Sequence, residues 1–199
     1  MAEQELDRLD VVAQLLKDRG DSLVVTGLGS STYDVSAQGD NHRNFYLWGA
    51  MGGAAAIGLG LALAQPDTPV IVITGDGEML MGTGSMATIA KQAPGNLKVI
   101  VLDNGHYGET GMQEAHTNSV TDLTTMAKGA GIEQSSTIVD QAGVDRLVDS
   151  IKRLENAPTF AVIKVSAKSY LRADTVAKTI KDGAYNRARV RVALGVGIE

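Results

Sequence analysis

Residues 70–110 read VIVITGDGEMLMGTGSMATIAKQAPGNLKVIVLDNGHYGET, and their pattern decides the fold. Residues 70–74 and 98–103 are short runs of β-branched and aliphatic residues, the composition of strands buried on both faces. Between them, residues 80–92 have helix length, and Pro94-Gly95-Asn96 is a turn. A strand, a helix and a second buried strand predict a βαβ unit with parallel strands. Sheets of this kind bind ligands in the loops at the carboxyl ends of their strands. Gly75-Asp76-Gly77 follows the first strand directly, and Asn104 follows the second. Both segments are therefore predicted on one edge of the sheet.

Outward from this unit the alternation continues. Leu6, Leu9, Val12, Ala13, Leu15 and Leu16 recur at helical spacing, and Gly20 ends that run. Residues 22–26 (SLVVT) predict a strand closed by Gly27. Residues 49–64, small and apolar, predict a buried helix broken by Pro66 and Pro69. Downstream, helices are predicted over 122–129 and 144–154, and strands over 136–139 and 159–165. The expected architecture is α/β: a doubly wound, mainly parallel sheet with helices on both faces. No repeat or linker interrupts it, so residues 1–199 are read as one domain with a core of about 22–165. The tail, residues 170–199, carries Arg172, Lys178, Lys181, Arg187, Arg189 and Arg191. It is read as a helix packed on its own domain or as a subunit contact.

Composition narrows the function. The 199 residues are 44% hydrophobic and 21% charged, enough to close a core unaided. The absence of cysteine excludes disulfides, thiol nucleophiles and cysteine-held metal clusters. A formal net charge of −5 speaks against nucleic acid as a partner. No run reaches the ~18 apolar residues of a membrane span. The first ten residues are polar and acidic, unlike a signal peptide, so the expected compartment is the cytoplasm. The 23 glycines far outnumber the two Phe, five Tyr and one Trp, and most fall between Gly27 and Gly111. That is where backbone is expected to approach a ligand.

The chemistry of the edge follows from its residue types. Mg2+ takes hard oxygen ligands and prefers few protein carboxylates together with phosphate oxygens. The Asp76 carboxylate, the Asn104 amide oxygen and a backbone carbonyl would supply such a set. The Gly77 backbone runs into a helix whose first amides would face an anion. An anion beside a divalent cation reads as a diphosphate. GDG alone is a common turn; its pairing with Asn104, one helix and one strand later, is the specific signal.

The arrangement GDGEMLMGTGSMATIA…LKVIVLDNGHYGETG resembles the diphosphate-binding motif of thiamin diphosphate (ThDP) enzymes, where GDG is followed by Asn-Asn at this separation. The resemblance runs from about Ser22 to Val165. It places Asp103 at the first Asn and Asn104 at the second, the metal ligand. It implies Asp76, Asn104 and the His106 carbonyl as protein ligands of Mg2+. Residues 45–63 (FYLWGAMGGAAAIGLGLAL) are similar to the stretch that carries the aminopyrimidine. There the Gly49 carbonyl and Met51 amide would hold the ring, and the Met51 side chain would prop the cofactor in its bent form. Gly75, Gly77, Glu78, Tyr107 and Gly108 complete the implied cofactor site. Ser30 and Ser31, in the loop Gly27-Leu28-Gly29-Ser30-Ser31, match the family loop near the diphosphate.

This resemblance covers only the diphosphate-binding (PP) domain. Enzymes of the family also need a pyrimidine-binding (PYR) domain, which donates a catalytic glutamate. The resemblance therefore implies a separate PYR-domain α subunit and an α2β2 or larger assembly. Among split members the pattern is most similar to sulfopyruvate decarboxylase β subunits and phosphonopyruvate decarboxylase. DNGHYGETG fits their DNG-x-YG-x-TG, RNFYLWGAMGGAAAIGLGLALA fits their RxFYxxGSMG…IGLGLAL, and Asp103 is a feature of that group. The expected reaction is decarboxylation of a small 2-oxo acid. Two departures stand out. Ser30-Ser31-Thr32-Tyr33 replaces a Pro-Ser-Arg/Lys-Glu sequence, removing a base for an anionic substrate. His106, Glu109 and His116 are also unexpected.

His106 has a carbonyl for the metal and an imidazole suited to proton transfer. Glu109 is read either as an acid beside the substrate or as a complement to a helix N-terminus. Tyr107 is read as packing its loop. Gln113 and His116 are read as surface residues of a loop able to close over substrate, and His42 as a surface or interface residue. A ThDP-dependent carboligase (acetolactate synthase-like) and a noncatalytic diphosphate-binding module remain as alternatives. A ferredoxin-linked oxidoreductase subunit would need cysteine.

Overall fold

The computed structural model describes residues 5–168 and 182–197. Strands β1 (Leu23–Thr26), β2 (Asn44–Tyr46), β3 (Val70–Gly75), β4 (Leu97–Asp103), β7 (Ser135–Ile138) and β8 (Thr159–Lys164) form one sheet. Its order is β2-β1-β3-β4-β8-β7. Every pairing is parallel, with Val72 opposite Val25 on one side and Val99 on the other. A small antiparallel pair, β5 (His106–Tyr107) and β6 (Gln113–Glu114), stands apart from the sheet.

Alternate residues of the strands feed two cores, one on each face. Val24, Ile71, Ile73, Ile100 and Leu102 pack under α1 (Arg8–Leu16), α2 (Ser30–Ala37) and α7 (Gln141–Ser150). Val25, Val72, Val99 and Val101 pack under α3 (Ala54–Ala64), α4 (Asp76–Met81), α5 (Gly84–Gln92) and α6 (Leu123–Gly129). The doubly wound α/β expectation stands. From β1 the chain goes outward to β2 and then returns to the other side as β3. The strand order therefore reverses between β1 and β3, where the loops after the two strands diverge and leave a crevice.

Several boundaries differ from the sequence reading. The helix expected over 49–64 begins only at Ala54, because Gly49 and Gly52 have φ of +82° and +94°, which no α-helix accommodates. The helix expected over 80–92 is two helices, α4 and α5, broken at Gly82-Thr83. There a Cβ on Gly82 would overlap the Gly52 carbonyl, so the break lets the two loops touch. The helix expected over 144–154 runs from Gln141 to Ser150, started by Asp140, whose side chain accepts from the Gly143 amide. Helix α2 and strand β2 have no counterpart in the sequence reading.

In the tail, α8 (Gly183–Ala193) packs on its own chain against β2. Arg189 pairs with Asp40, donates to the Asn44 carbonyl at 2.9 Å and covers the Tyr46 ring. Part of the basic charge is thus used within the chain. Arg172, Lys178 and Lys181 lie outside the described residues. Among the described residues no helix is long and apolar enough to cross a membrane.

Candidate active site

A cavity of about 150 Å3 opens at the carboxyl edge of the sheet, beside the crevice between β1 and β3. It brings together Ser30, Ser31, Met51, Gly75, Asp76, Gly77, Glu78, Asn104, His106, Tyr107, Gly108 and Glu109. Of the expected cofactor-binding residues only Gly49, which is exposed, lies outside this lining. Arg8, Leu28, Leu102 and Thr110 also line it.

Asp76 is the first residue of α4 and is only 3% exposed. Thr117, absent from the sequence reading, sits between two acids. Its hydroxyl is 2.7 Å from Asp76 Oδ2 and 2.9 Å from Asp103 Oδ1. With one proton it can donate to only one of them at a time. Asp103 is also held by the Gly105 amide and by Lys164, so the extra acid at this position has a cation of its own. Burial pushes the Asp76 carboxyl up to about 6; the Thr117 hydrogen bond opposes this and the charge of Asp103 adds to it.

A buried carboxylate with another acid nearby favours a cation. The donors here are hard oxygens: Asp76, the Asn104 amide oxygen and backbone carbonyls. Asn104 Oδ1 accepts from the His106 amide at 3.0 Å, which fixes the amide's direction. Among the described residues no group of three or more His, Cys, Asp or Glu could hold a metal. One carboxylate with amide and carbonyl oxygens is a donor set that suits Mg2+ when most of its ligands come from phosphate and water.

His106 Nδ1 lies 2.8 Å from the Asn104 carbonyl oxygen. A carbonyl only accepts, so the proton sits on Nδ1 and Nε2 is left as the acceptor. One edge of the Tyr107 ring lies against Gly77, where any Cβ would overlap it. Its hydroxyl reaches only to 3.4 Å from His116 Nδ1. Glu78 lines the cavity, but its Oε1 accepts from the Gly52 and Ala54 amides at 2.9 and 3.1 Å. It thereby caps α3, which has no cap of its own, and ties the Met51 loop to α4. Met51 is 36% exposed at the rim.

The Ser31 hydroxyl turns back to the Gly27 carbonyl at 3.2 Å, while Ser30 faces Gly108 across the cavity. Glu109 belongs to a short 3-10 turn, Gly108–Thr110, and lies over Gly29. Its Oε2 accepts from the Tyr33 hydroxyl at 3.2 Å, and burial with this negative neighbour drives the Tyr33 phenol well above its usual range. His116, Gln113 and His42 are exposed.

At the cavity wall, Arg8 of α1 forms a buried ion pair with Asp34 of α2, which stands behind it. Burial pushes the Asp34 carboxyl up to about 6 although Arg8 opposes the shift. The folded chain then binds this proton more readily than the unfolded chain, whose carboxyl titrates near 3.8. Stability is therefore lost as pH rises from about 4 through about 6. In urea unfolding between pH 4 and 7, wild type should lose up to ~3 kcal/mol more than Asp34→Asn. Parallel profiles would show that Asp34 does not titrate there.

Arg8, Thr117 and Lys164 were not legible beforehand. They meet their partners across 26, 41 and 61 residues, and no local pattern marks such pairings.

Comparison with known proteins places the chain in a family. Residues 27–165 match the family model for the thiamine pyrophosphate enzyme, C-terminal TPP binding domain. The chain is 40% identical over 131 residues to sulfopyruvate decarboxylase subunit beta of Methanocaldococcus jannaschii, covering 65% of this chain and 69% of that one. Identity to the Methanococcus maripaludis subunit beta is 34% over 166 residues, 83% and 86% of the two chains. Phosphonopyruvate decarboxylase of Streptomyces viridochromogenes is 45% identical over 111 residues, 56% of this chain and 28% of that one. Among solved structures, benzoylformate decarboxylase from Polynucleobacter necessarius superposes with a TM-score of 0.69 at 16% identity. That match covers 86% of this chain but only 36% of the other, and it speaks for the fold alone. The chain belongs to the thiamine pyrophosphate enzymes, through their C-terminal TPP-binding domain, and to the branch that contains the sulfopyruvate decarboxylase β subunits.

Proposed function

We propose that this chain is the β subunit of a ThDP- and Mg2+-dependent decarboxylase acting on a small 2-oxo acid of the sulfopyruvate or phosphonopyruvate class. The observation that carries the reading is the gathering of Asp76, Asn104, His106, Gly77 and Met51 around one cavity at the crevice. When bound, ThDP supplies the electron sink that lets CO2 leave a 2-oxo acid.

The chain's residues have the following roles. Asp76, the Asn104 amide oxygen and the His106 carbonyl hold Mg2+ against the diphosphate. Met51, an unbranched thioether at the rim, supports the cofactor rings without a polar demand. His106 Nε2 is the acceptor nitrogen of the cavity, suited to receiving a proton. Glu109 is kept at the rim of the cavity by the Tyr33 hydroxyl, as an acid beside the substrate. Gly77 leaves room for Tyr107 to close the cavity from above.

The catalytic glutamate comes from a partner subunit carrying a PYR domain, in an α2β2 or larger assembly. Uncovered apolar surface on α3 and α4 supports a partner. Met81 is 65% and Leu63 49% exposed, and α3 is apolar on every side yet leaves one face open. We assign the complex to the cytoplasm, which the acidic, disulfide-free composition fits.

Co-expression with a PYR-domain subunit tests the proposal. With ThDP and Mg2+, the pair should release CO2 from sulfopyruvate or phosphonopyruvate faster than from pyruvate, and this chain alone should release none. Hydrogen–deuterium exchange at the thiazolium C2 should accelerate only in the pair. Equal exchange with the isolated chain would put the base here, with Glu109 as first suspect, and would sink the split-site reading.

A further inference from the structure

Arg8 opens α1, a helix already capped by Asp7, whose side chain accepts from the Leu9 and Asp10 amides. Its guanidinium turns inward, 2% exposed, against the wholly buried Asp34. Nε lies 2.5 Å from Asp34 Oδ2 as an ionic contact, Nη2 donates to Oδ1 at 3.3 Å, and Nη1 takes part in neither. Arg8 also lines the cavity with Ser30, Ser31, Asp76 and Gly77, and no other described lining residue has a permanent positive charge.

Burying an ion pair seldom gains stability over apolar residues of similar size. A pair kept at a cavity wall is better explained by what it holds there. Asp34 fixes the guanidinium plane in advance, so its remaining donors lose little freedom on meeting an acceptor. Phosphate oxygens accept such donors strongly. A diphosphate beside Asp76 also calls for more positive charge than one divalent cation brings, because Asp76 cancels part of it.

We infer that Arg8 is a further ligand of the cofactor diphosphate, with Asp34 as the positioning residue. The inference rests on the ThDP reading above. A buried cation suits the part of the ligand that stays through turnover. The substrate's own anionic group would instead enter and leave at the rim of Met51 and Glu109.

Calorimetric titration of the full chain with inorganic pyrophosphate in Mg2+ tests this in wild type, Asp34→Asn, and Arg8→Met combined with Asp34→Asn. The paired change avoids leaving Asp34 charged and alone in the core. Circular dichroism and a cooperative melt check that it folds, and Arg8→Lys, which keeps charge and pairing, carries the test if it does not. Asp34→Asn, which frees the guanidinium to turn, should bind about three- to tenfold more weakly than wild type, and the double variant about 10- to 100-fold more weakly. Arg8→Lys should lose about tenfold. Methanesulfonate, titrated in parallel, stands in for a substrate sulfonate. Pyrophosphate affinity unchanged on loss of Arg8 overturns the inference and leaves the ThDP reading intact. A loss confined to methanesulfonate does the same and assigns Arg8 to the substrate. No pyrophosphate binding by wild type, or binding indifferent to Asp76→Asn, overturns both.

Discussion

Asp76→Asn is expected to weaken Mg2+-dependent ThDP uptake by roughly 100-fold, the cost of removing one partner from a desolvated charge pair. The same change should leave the ligand-free fold at least as stable as wild type. Its carboxylate is buried close to Asp103, with Thr117 divided between the two, so the amide relieves a like-charge contact. Opposite signs on binding and stability are what separate a ligand from a structural acid. Titration calorimetry with and without Mg2+, set beside urea unfolding of the free chain, measures both. Unchanged affinity in Mg2+ would remove Asp76 from the site.

Gly77→Ala should cost at least tenfold in ThDP affinity, and the cause should be Tyr107. The added methyl would overlap the Cδ1–Cε1 edge of the Tyr107 ring, so the ring and the β5–β6 hairpin that carries it have to move off α4. Alanine is the better helix former, and the fold itself should change by less than about 1 kcal/mol. A double-mutant cycle isolates the clash: in a Tyr107→Ala background, Gly77→Ala should be nearly silent. If the penalty were the same in both backgrounds, Gly77 would matter for close approach of the ligand, not for seating Tyr107.

The sheet was legible because its strands are buried on both faces, and burial of that kind writes itself as unbroken aliphatic runs such as residues 70–73 and 99–102. The edge carrying Asp76 and Asn104 followed from strand direction alone. Helix α2 was not legible. SSTYDVSA has no apolar period, and its buried Thr32 and Asp34 are satisfied by Thr26 and Gly27 and by Arg8, none of them inside the helix. Strand β2 is three residues long, too short for a pattern. The early start expected for α3 failed for a related reason: small apolar residues before Ala54 look helical, but two glycines in left-handed conformations hold a loop that Glu78 fastens from another element. Local composition does not reveal a tie of that kind.

The docking of α8 on β2 has a consequence for how the chain is made. Arg189 reaches Asp40 and Asn44 across 149 and 145 residues. Translation therefore releases the edge strand long before it releases the helix that covers it. Through most of synthesis β2 has unpaired backbone groups and an uncovered Tyr46 available to a neighbouring nascent chain. A pause or premature stop ahead of α8 would leave a sheet that is paired internally yet open at this edge. Such products should be held by chaperones or lost to aggregation, even though every residue around the cavity has already been made.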